Sequence, residues 1–194
     1  MNFTVISGTN RPASLSLKVS GIIRNLLAER GLHSELIDLC QLPQDIAFSY
    51  LDTGNSLGFA PYQAIVDKST HFVFVAPEYN GSIPGILKIF IDACDYPGSF
   101  RGKSAALIGI AAGRNGNQAG IHHLQEILQY FGVNVYPGKI HLGRIRQRLL
   151  PEGGFSDQAD EGQLREAVAG YLGHSGYGSL GSYTDVHSLE FRNT

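Results

Sequence analysis

An open α/β sheet of parallel strands with helices on both faces is the fold class this sequence predicts, and three observations predict it. Short β-rich apolar runs alternate with amphipathic stretches five times along the chain. Polar loops bearing glycine or proline follow the first, third and fourth of those runs. The chain has 194 residues, 43% of them hydrophobic, which suffices for one well-buried domain and is short for two.

Residues 3 to 7, Phe-Thr-Val-Ile-Ser, read as the first strand. Gly8 to Ser16 follows as a small polar loop, and Val19, Ile22, Ile23, Leu26 and Leu27 then recur at helical spacing up to a stop at Gly31. The hydroxyls of Thr9, Ser14 and Ser16, the Arg11 guanidinium and the amides of the helix start can all donate to one phosphate dianion. The plainer alternative makes Ser14 or Ser16 a helix cap and Arg11 a solvated charge. Neither GxGxxG nor GxxxxGK[ST] is present, so the loop is not a dinucleotide or P-loop turn.

Residues 33 to 39 read as strand two. Cys40 to Ala60 is a long mixed connection of the kind that serves as a lid or interface, and Tyr62 to Lys68 is a short helix. The central run Phe72-Val73-Phe74-Val75-Ala76 reads as a strand buried on both faces, giving way at once to Pro77-Glu78-Tyr79-Asn80-Gly81-Ser82-Ile83-Pro84-Gly85. Two readings apply to that loop: the floor of a ligand site at the carboxyl end of a strand, or a tight turn at Asn80-Gly81. A helix from Pro84 to about Tyr96 follows, with Lys88 and Asp92 spaced to pair.

Ser104 to Ala112 is strand four, Gly113-Arg114-Asn115-Gly116-Asn117 a third polar loop, and Ile121, Leu124, Leu128 and Phe131 the stripe of helix four. His122 and His123 lie off that stripe and point about 100° apart, a surface pair unsuited to a metal. Strand five runs from Val133 to Tyr136, with an extension to Leu142 beyond Pro137-Gly138. Arg144, Arg146 and Arg148 alternate, which on extended backbone puts three guanidinia on one side, as a solvated face or a subunit contact. Asp157 to Gly173 is the last helix. The chain thus divides into a domain over residues 1–173 and a Gly-, Ser- and Tyr-rich tail over 174–194, disordered or laid on a neighbouring subunit.

A formal net charge of −2 supplies no field for a nucleic acid or an anionic membrane. The longest apolar runs fall far short of a membrane span and the start lacks a basic signal-peptide head, so the expected location is cytoplasmic. Two cysteines, Cys40 and Cys94, argue against a disulfide framework or thiolate metal site.

Five strand and helix alternations with polar loops after strands one, three and four make the expected architecture a flavodoxin-like doubly wound sheet of five parallel strands in the order 2-1-3-4-5, with helices on both faces. Within that class, Gly8-Thr9-x-Arg11-x-x-Ser14-x-Ser16 together with Pro77 to Gly85 leading into Leu87-Lys88-x-x-Ile91-Asp92 resembles the NADPH-dependent FMN reductase family, over roughly residues 3 to 172. The resemblance implies FMN as cofactor and NAD(P)H as co-substrate, with electrons passed to flavin, quinone or similar small acceptors in a homodimer or homotetramer. It assigns Thr9, Arg11, Ser14 and Ser16 to the FMN phosphate. Pro77, Glu78, Tyr79, Asn80, Gly81 and Ser82 go to the isoalloxazine, and Gly113, Arg114 and Asn115 to a third flavin-contacting loop. The chain departs from the family at Gly116-Asn117-Gln118-Ala119-Gly120, where a Gly-Gly pair is usual, and at Ser16, where Asn is common. No side chain is expected to act as acid or nucleophile, because hydride chemistry resides at flavin N5. Charge on the reduced ring falls to amides of residues 79 to 81 and 113 to 116, and Glu78 is expected to fix its turn by bonding neighbouring amides. Two other classes remain: a flavodoxin-type electron carrier, whose surface would be more acidic, and a receiver-type module, which needs an acidic cluster where this chain has Ser7-Gly8-Thr9.

Overall fold

Strand β1 (Phe3–Ser7) is buried at every position, as the centre of a sheet covered on both faces requires. In the computed structural model, which describes residues 1–48 and 58–176, it pairs in parallel with β2 (Ser34–Asp38) on one side and β3 (His71–Pro77) on the other. Strand β4 (Ser104–Ile110) pairs along the whole of β3, from His71 opposite Ser104 to Pro77 opposite Ile110. The order is β2-β1-β3-β4-β5, all parallel, in agreement with the sequence expectation. The fifth strand comes as two short pieces, β5 (Asn134–Val135) and β6 (Ile140–Leu142), both beside β4. Pro137 removes a ladder donor between them. An added Cβ at Gly138 would lie 2.5 Å from the Tyr136 ring, so the chain folds back tightly there.

Alternation along the strands sends side chains to two cores. Ile6, Phe72, Phe74 and Leu107 meet helices α2 (Ala60–Lys68), α3 (Gly85–Ala93) and α4 (Gln118–Tyr130). Val5, Val73, Val75 and Ile108 meet α1 (Leu15–Ala28) and the last helix (Gln158–His174). Each fully buried Phe, Ile or Val contributes roughly 1.5–3 kcal/mol. Helix α3 is shorter than the periodicity predicts: Pro84 stands at the N-cap in extended backbone, and the helix gives out at Ala93, ahead of Pro97. Lys88 and Asp92 pair as spaced, at 2.7 Å. Cys94 is buried, its Sγ donating to the Phe90 carbonyl, and burial pushes its thiol up, so it is packing rather than reactive.

The largest correction concerns Arg144, Arg146 and Arg148. They do not lie on an extended edge: Arg144 is left-handed at φ 52 and Ile145–Arg148 forms one helical turn, α5, making the Gln158–His174 helix α6. Burial of Ile145, 2% exposed, overrides the alternation by pulling the chain inward between two charged residues. Of the three, only Arg148 is ion-paired among the described residues, with Asp160 at 2.9 Å. In and just before the long connection from Cys40 to Ala60, Leu39–Gln41 is a 3₁₀ turn capped by Asp38, and residues 49–57 lie outside the described residues. The tail from residue 177 onward lies outside them too, while residues 174–176 complete and close α6.

Candidate active site

The loops leaving the carboxyl ends of β1, β3, β4 and β6 surround a cleft of about 400 Å³. Its first wall is the loop before α1. Gly8 donates to the Val75 carbonyl at 2.9 Å, and a Cβ at Gly8 would sit 2.8 Å from that same oxygen, so only glycine lets β1 leave the sheet here. Ala13 then takes a left-handed conformation at φ 49, a costly choice for a residue with a Cβ, and turns the chain into α1. Ser14 caps the helix, its Oγ accepting from the Leu17 amide at 3.1 Å and from the Ser16 hydroxyl at 3.1 Å. The cap is worth about 1 kcal/mol. Capping and ligand binding are compatible, because Ser14 and Ser16 both still line the cleft.

Thr9 Oγ1 and Tyr79 Oη lie 2.8 Å apart, joining the first wall to the second. The Arg11 guanidinium stands over the Tyr79 ring, 5.2 Å from its centroid, and has no acidic partner among the described residues. The second wall is Pro77, Glu78 and Tyr79, held by the Glu78 amide donating to the Ile110 carbonyl at 2.9 Å. Beyond it the chain reverses: Tyr79 and Ser82 exchange both backbone hydrogen bonds, at 2.9 and 3.0 Å, while Asn80 and Gly81 have φ of 50 and 75. Two positive φ values make this a type I′ turn, the geometry Asn-Gly favours. Both readings of the loop are therefore realised, with the turn holding the cleft's floor in place.

Seven of the thirteen residues singled out from sequence come together in the cleft: Thr9, Arg11, Ser14, Ser16, Pro77, Glu78 and Tyr79. Asn80 and Gly81 form the exposed turn tip outside it, and Ser82 Oγ instead bonds His123 Nδ1 at 2.9 Å. Gly113 and Arg114 press against the segment after β6: the Arg144 amide donates to the Gly113 carbonyl at 2.7 Å. Asn115 lines a smaller neighbouring cavity of about 320 Å³ with Gln118, His122 and Glu78, and Glu78 is thus the ridge between the two spaces. Two finer expectations are corrected. The Tyr79 amide is occupied by the turn and offers nothing to a ligand, and the Glu78 carboxylate bonds no amide among the described residues, since the backbone pair already fixes the turn.

Sequence reasoning missed Arg146, Ala111 and Ala112, which complete the cleft, because their place depends on β4 and β6 being neighbours. It also passed over Asn117, which is 1% exposed, left-handed at φ 59 and donates through Nδ2 to the Ala76 carbonyl at 3.1 Å. That bond ties the third loop to the end of β3. An Asn after Gly, directly before a helix, was the available signal.

The donor set suits FMN. A hydroxyl and guanidinium cluster at a helix start fits a phosphate, and a proline- and alanine-lined space beside it fits a flat ring. Residues 1–146 match the family model described as NADPH-dependent FMN reductase. The chain belongs to that family. Similar to this FMN reductase family member are an NAD(P)H-dependent FMN reductase of Pseudomonas aeruginosa, 32% identical over 56% of this chain and 59% of that protein. A probable NADPH:quinone oxidoreductase 2 of Oryza sativa is 29% identical over 69% of this chain and 67% of that protein. The match thus spans less than two thirds of the Pseudomonas relative's length. In fold, the chain resembles the flavoenzyme FerB, an NAD(P)H:(acceptor) oxidoreductase from Paracoccus denitrificans, with a TM-score of 0.74 and 23% identity over 89% of this chain and 95% of that one. The family and these curated relatives are reductases rather than flavodoxin-type electron carriers. Among the described residues no helix is long and apolar enough to cross a membrane, and no cluster suits a metal ion.

Proposed function

We propose that this protein is an FMN-dependent NAD(P)H oxidoreductase that reduces quinones, flavins or similar small acceptors. The observation that carries the reading is the cleft itself, with a hydroxyl and guanidinium cluster at the start of α1 continuous with the Pro77, Tyr79 and Ala111 walls. Arg11, Thr9, Ser14 and Ser16 bind the cofactor phosphate together with the first amides of α1. Pro77 and the alanines would exclude water from one side of the ring, while the amides of Asn80 and Gly81, at the turn tip outside the cleft, are unpaired among the described residues. The flavin, when bound there, would supply the hydride chemistry by which NAD(P)H, a proton and a quinone are converted to NAD(P)⁺ and a quinol. Both substrates use one open face, which gives ping-pong kinetics.

The cytoplasmic location and the homodimer or homotetramer belong to the same proposal. In support of the assembly, Tyr96 and Tyr130, 62% and 77% exposed, stack with centroids 6.3 Å apart and offer aromatic surface for a second copy to cover. Light scattering of the purified chain reads the assembly directly.

The experiment that tests the function is steady-state oxidation of NADH and of NADPH by FMN-loaded protein, with a quinone as acceptor. Parallel double-reciprocal lines are expected; flavin that stays oxidised under excess NAD(P)H would return the electron-carrier reading. Glu78→Gln sharpens it, since Glu78 is the one carboxylate lining the cleft among the described residues. Turnover at saturating FMN should stay within about threefold of wild type. A general acid would instead cost about a hundredfold or more.

A further inference from the structure

We propose that Arg146 is a second anion-binding side chain of the cleft, taking a phosphate monoester; the proposal rests on the FMN- and NAD(P)H-dependent reading above. Gly143 allows the segment after β6 to lie against the third loop, since a Cβ there would fall 1.9 Å from the Arg114 carbonyl oxygen. Arg144 turns the chain at φ 52, the Ile145 amide donates to the Ala111 carbonyl at 3.0 Å, and the Ile145 side chain is sunk in the core. Residues 143–145 are thereby fixed to the end of β4, and Arg146, the next residue, lines the cleft.

Asp160 is taken by Arg148, and the Arg146 guanidinium makes no ion pair or hydrogen bond among the described residues. Among the described residues the cleft lining therefore carries two guanidinia, Arg11 and Arg146, against one carboxylate, Glu78, on a chain whose net charge is −2. A planar guanidinium suits a phosphate oxygen pair better than any other side chain does. Arg11 stands beside the hydroxyl cluster; Arg146 approaches from a separate element. Two phosphate monoesters belong to the proposed reaction, the 5′-phosphate of FMN and the 2′-phosphate that separates NADPH from NADH.

Arg146→Met keeps the apolar stem and removes the charge. The test titrates apo-protein of wild type, Arg146→Met and Arg146→Lys with FMN and with riboflavin, and measures KM for NADPH and NADH on the FMN-loaded forms. One ratio should fall about tenfold in Arg146→Met and recover in part in Arg146→Lys. FMN weakened with riboflavin unchanged assigns Arg146 to the cofactor phosphate. NADPH weakened with NADH unchanged assigns it to the nicotinamide co-substrate. Both ratios unchanged, or both members of a pair weakened alike, overturns the proposal while leaving the cofactor reading intact. Wild-type protein that binds neither flavin overturns that reading and this proposal with it.

Discussion

Arg11→Ala is expected to weaken FMN binding by about ten- to a hundredfold while leaving riboflavin affinity and the apo-protein's melting temperature unchanged. The magnitude follows from one charge-assisted hydrogen bond to phosphate, worth about 1.5–3 kcal/mol, at about 1.4 kcal/mol per decade. The selectivity follows from geometry. Arg11 is exposed, and its only side-chain contact among the described residues is the Tyr79 ring at 5.2 Å, an exposed cation–π contact worth about 0.5–1 kcal/mol. Losing it changes the fold little. Fluorescence titration with each flavin measures the effect, and a fall in riboflavin affinity with FMN unmoved would reassign Arg11 to the ring.

Gly109→Ala is expected to be the most damaging single-methyl change in the sheet. A Cβ at residue 109 would lie 2.1 Å from the Gly116 carbonyl oxygen and 2.8 Å from the Ile121 side chain. The first obstacle is backbone of the third loop, which cannot rotate away. Gly116 in turn has its own Cβ position 2.4 Å from the His141 backbone, so the loop is confined between β4 and β6. Overpacking against fixed backbone should cost about 3 kcal/mol or more, a fall in melting temperature of roughly 6–12 °C for a chain of this size. Gly21→Ala in α1, where nothing lies within 4 Å of the added Cβ, is the control and should raise stability by about 0.5–1 kcal/mol. Circular dichroism melts of the two variants decide it; equal melting temperatures would mean the loop has room to move.

The parts of this molecule written in short-range pattern were legible in the sequence. The apolar runs at Phe72 and Ala105 read as strands covered on both sides, residues 3 to 7 as a strand, and the periodicity from Val19 to Leu27 as a helix. The first wall of the cleft was legible because Ser14, Ser16 and Arg11 sit within a few residues of one helix start. What the sequence hid depends on which backbones become neighbours. Arg144, Arg146 and Arg148 have the spacing of a strand, yet Ile145 is worth more buried than the alternation is worth kept, and the chain coils around it. Arg146 reaches the cleft only because β6 lies beside β4. Gly113 and Arg114 looked like cleft residues by their place after β4, but the close approach that Gly143 permits draws them onto the segment after β6.

The loop before α1 is proposed to hold the phosphate of a flavin mononucleotide whose ring lies against Pro77 and Tyr79. Equilibrium titration of the apo-protein with FMN, riboflavin and FAD tests it most directly, because riboflavin lacks that phosphate and FAD carries an adenylate on it. FMN should bind at least about a hundredfold more tightly than riboflavin, the yield of two charge-assisted hydrogen bonds, and more tightly than FAD. Riboflavin binding as tightly as FMN would contradict it.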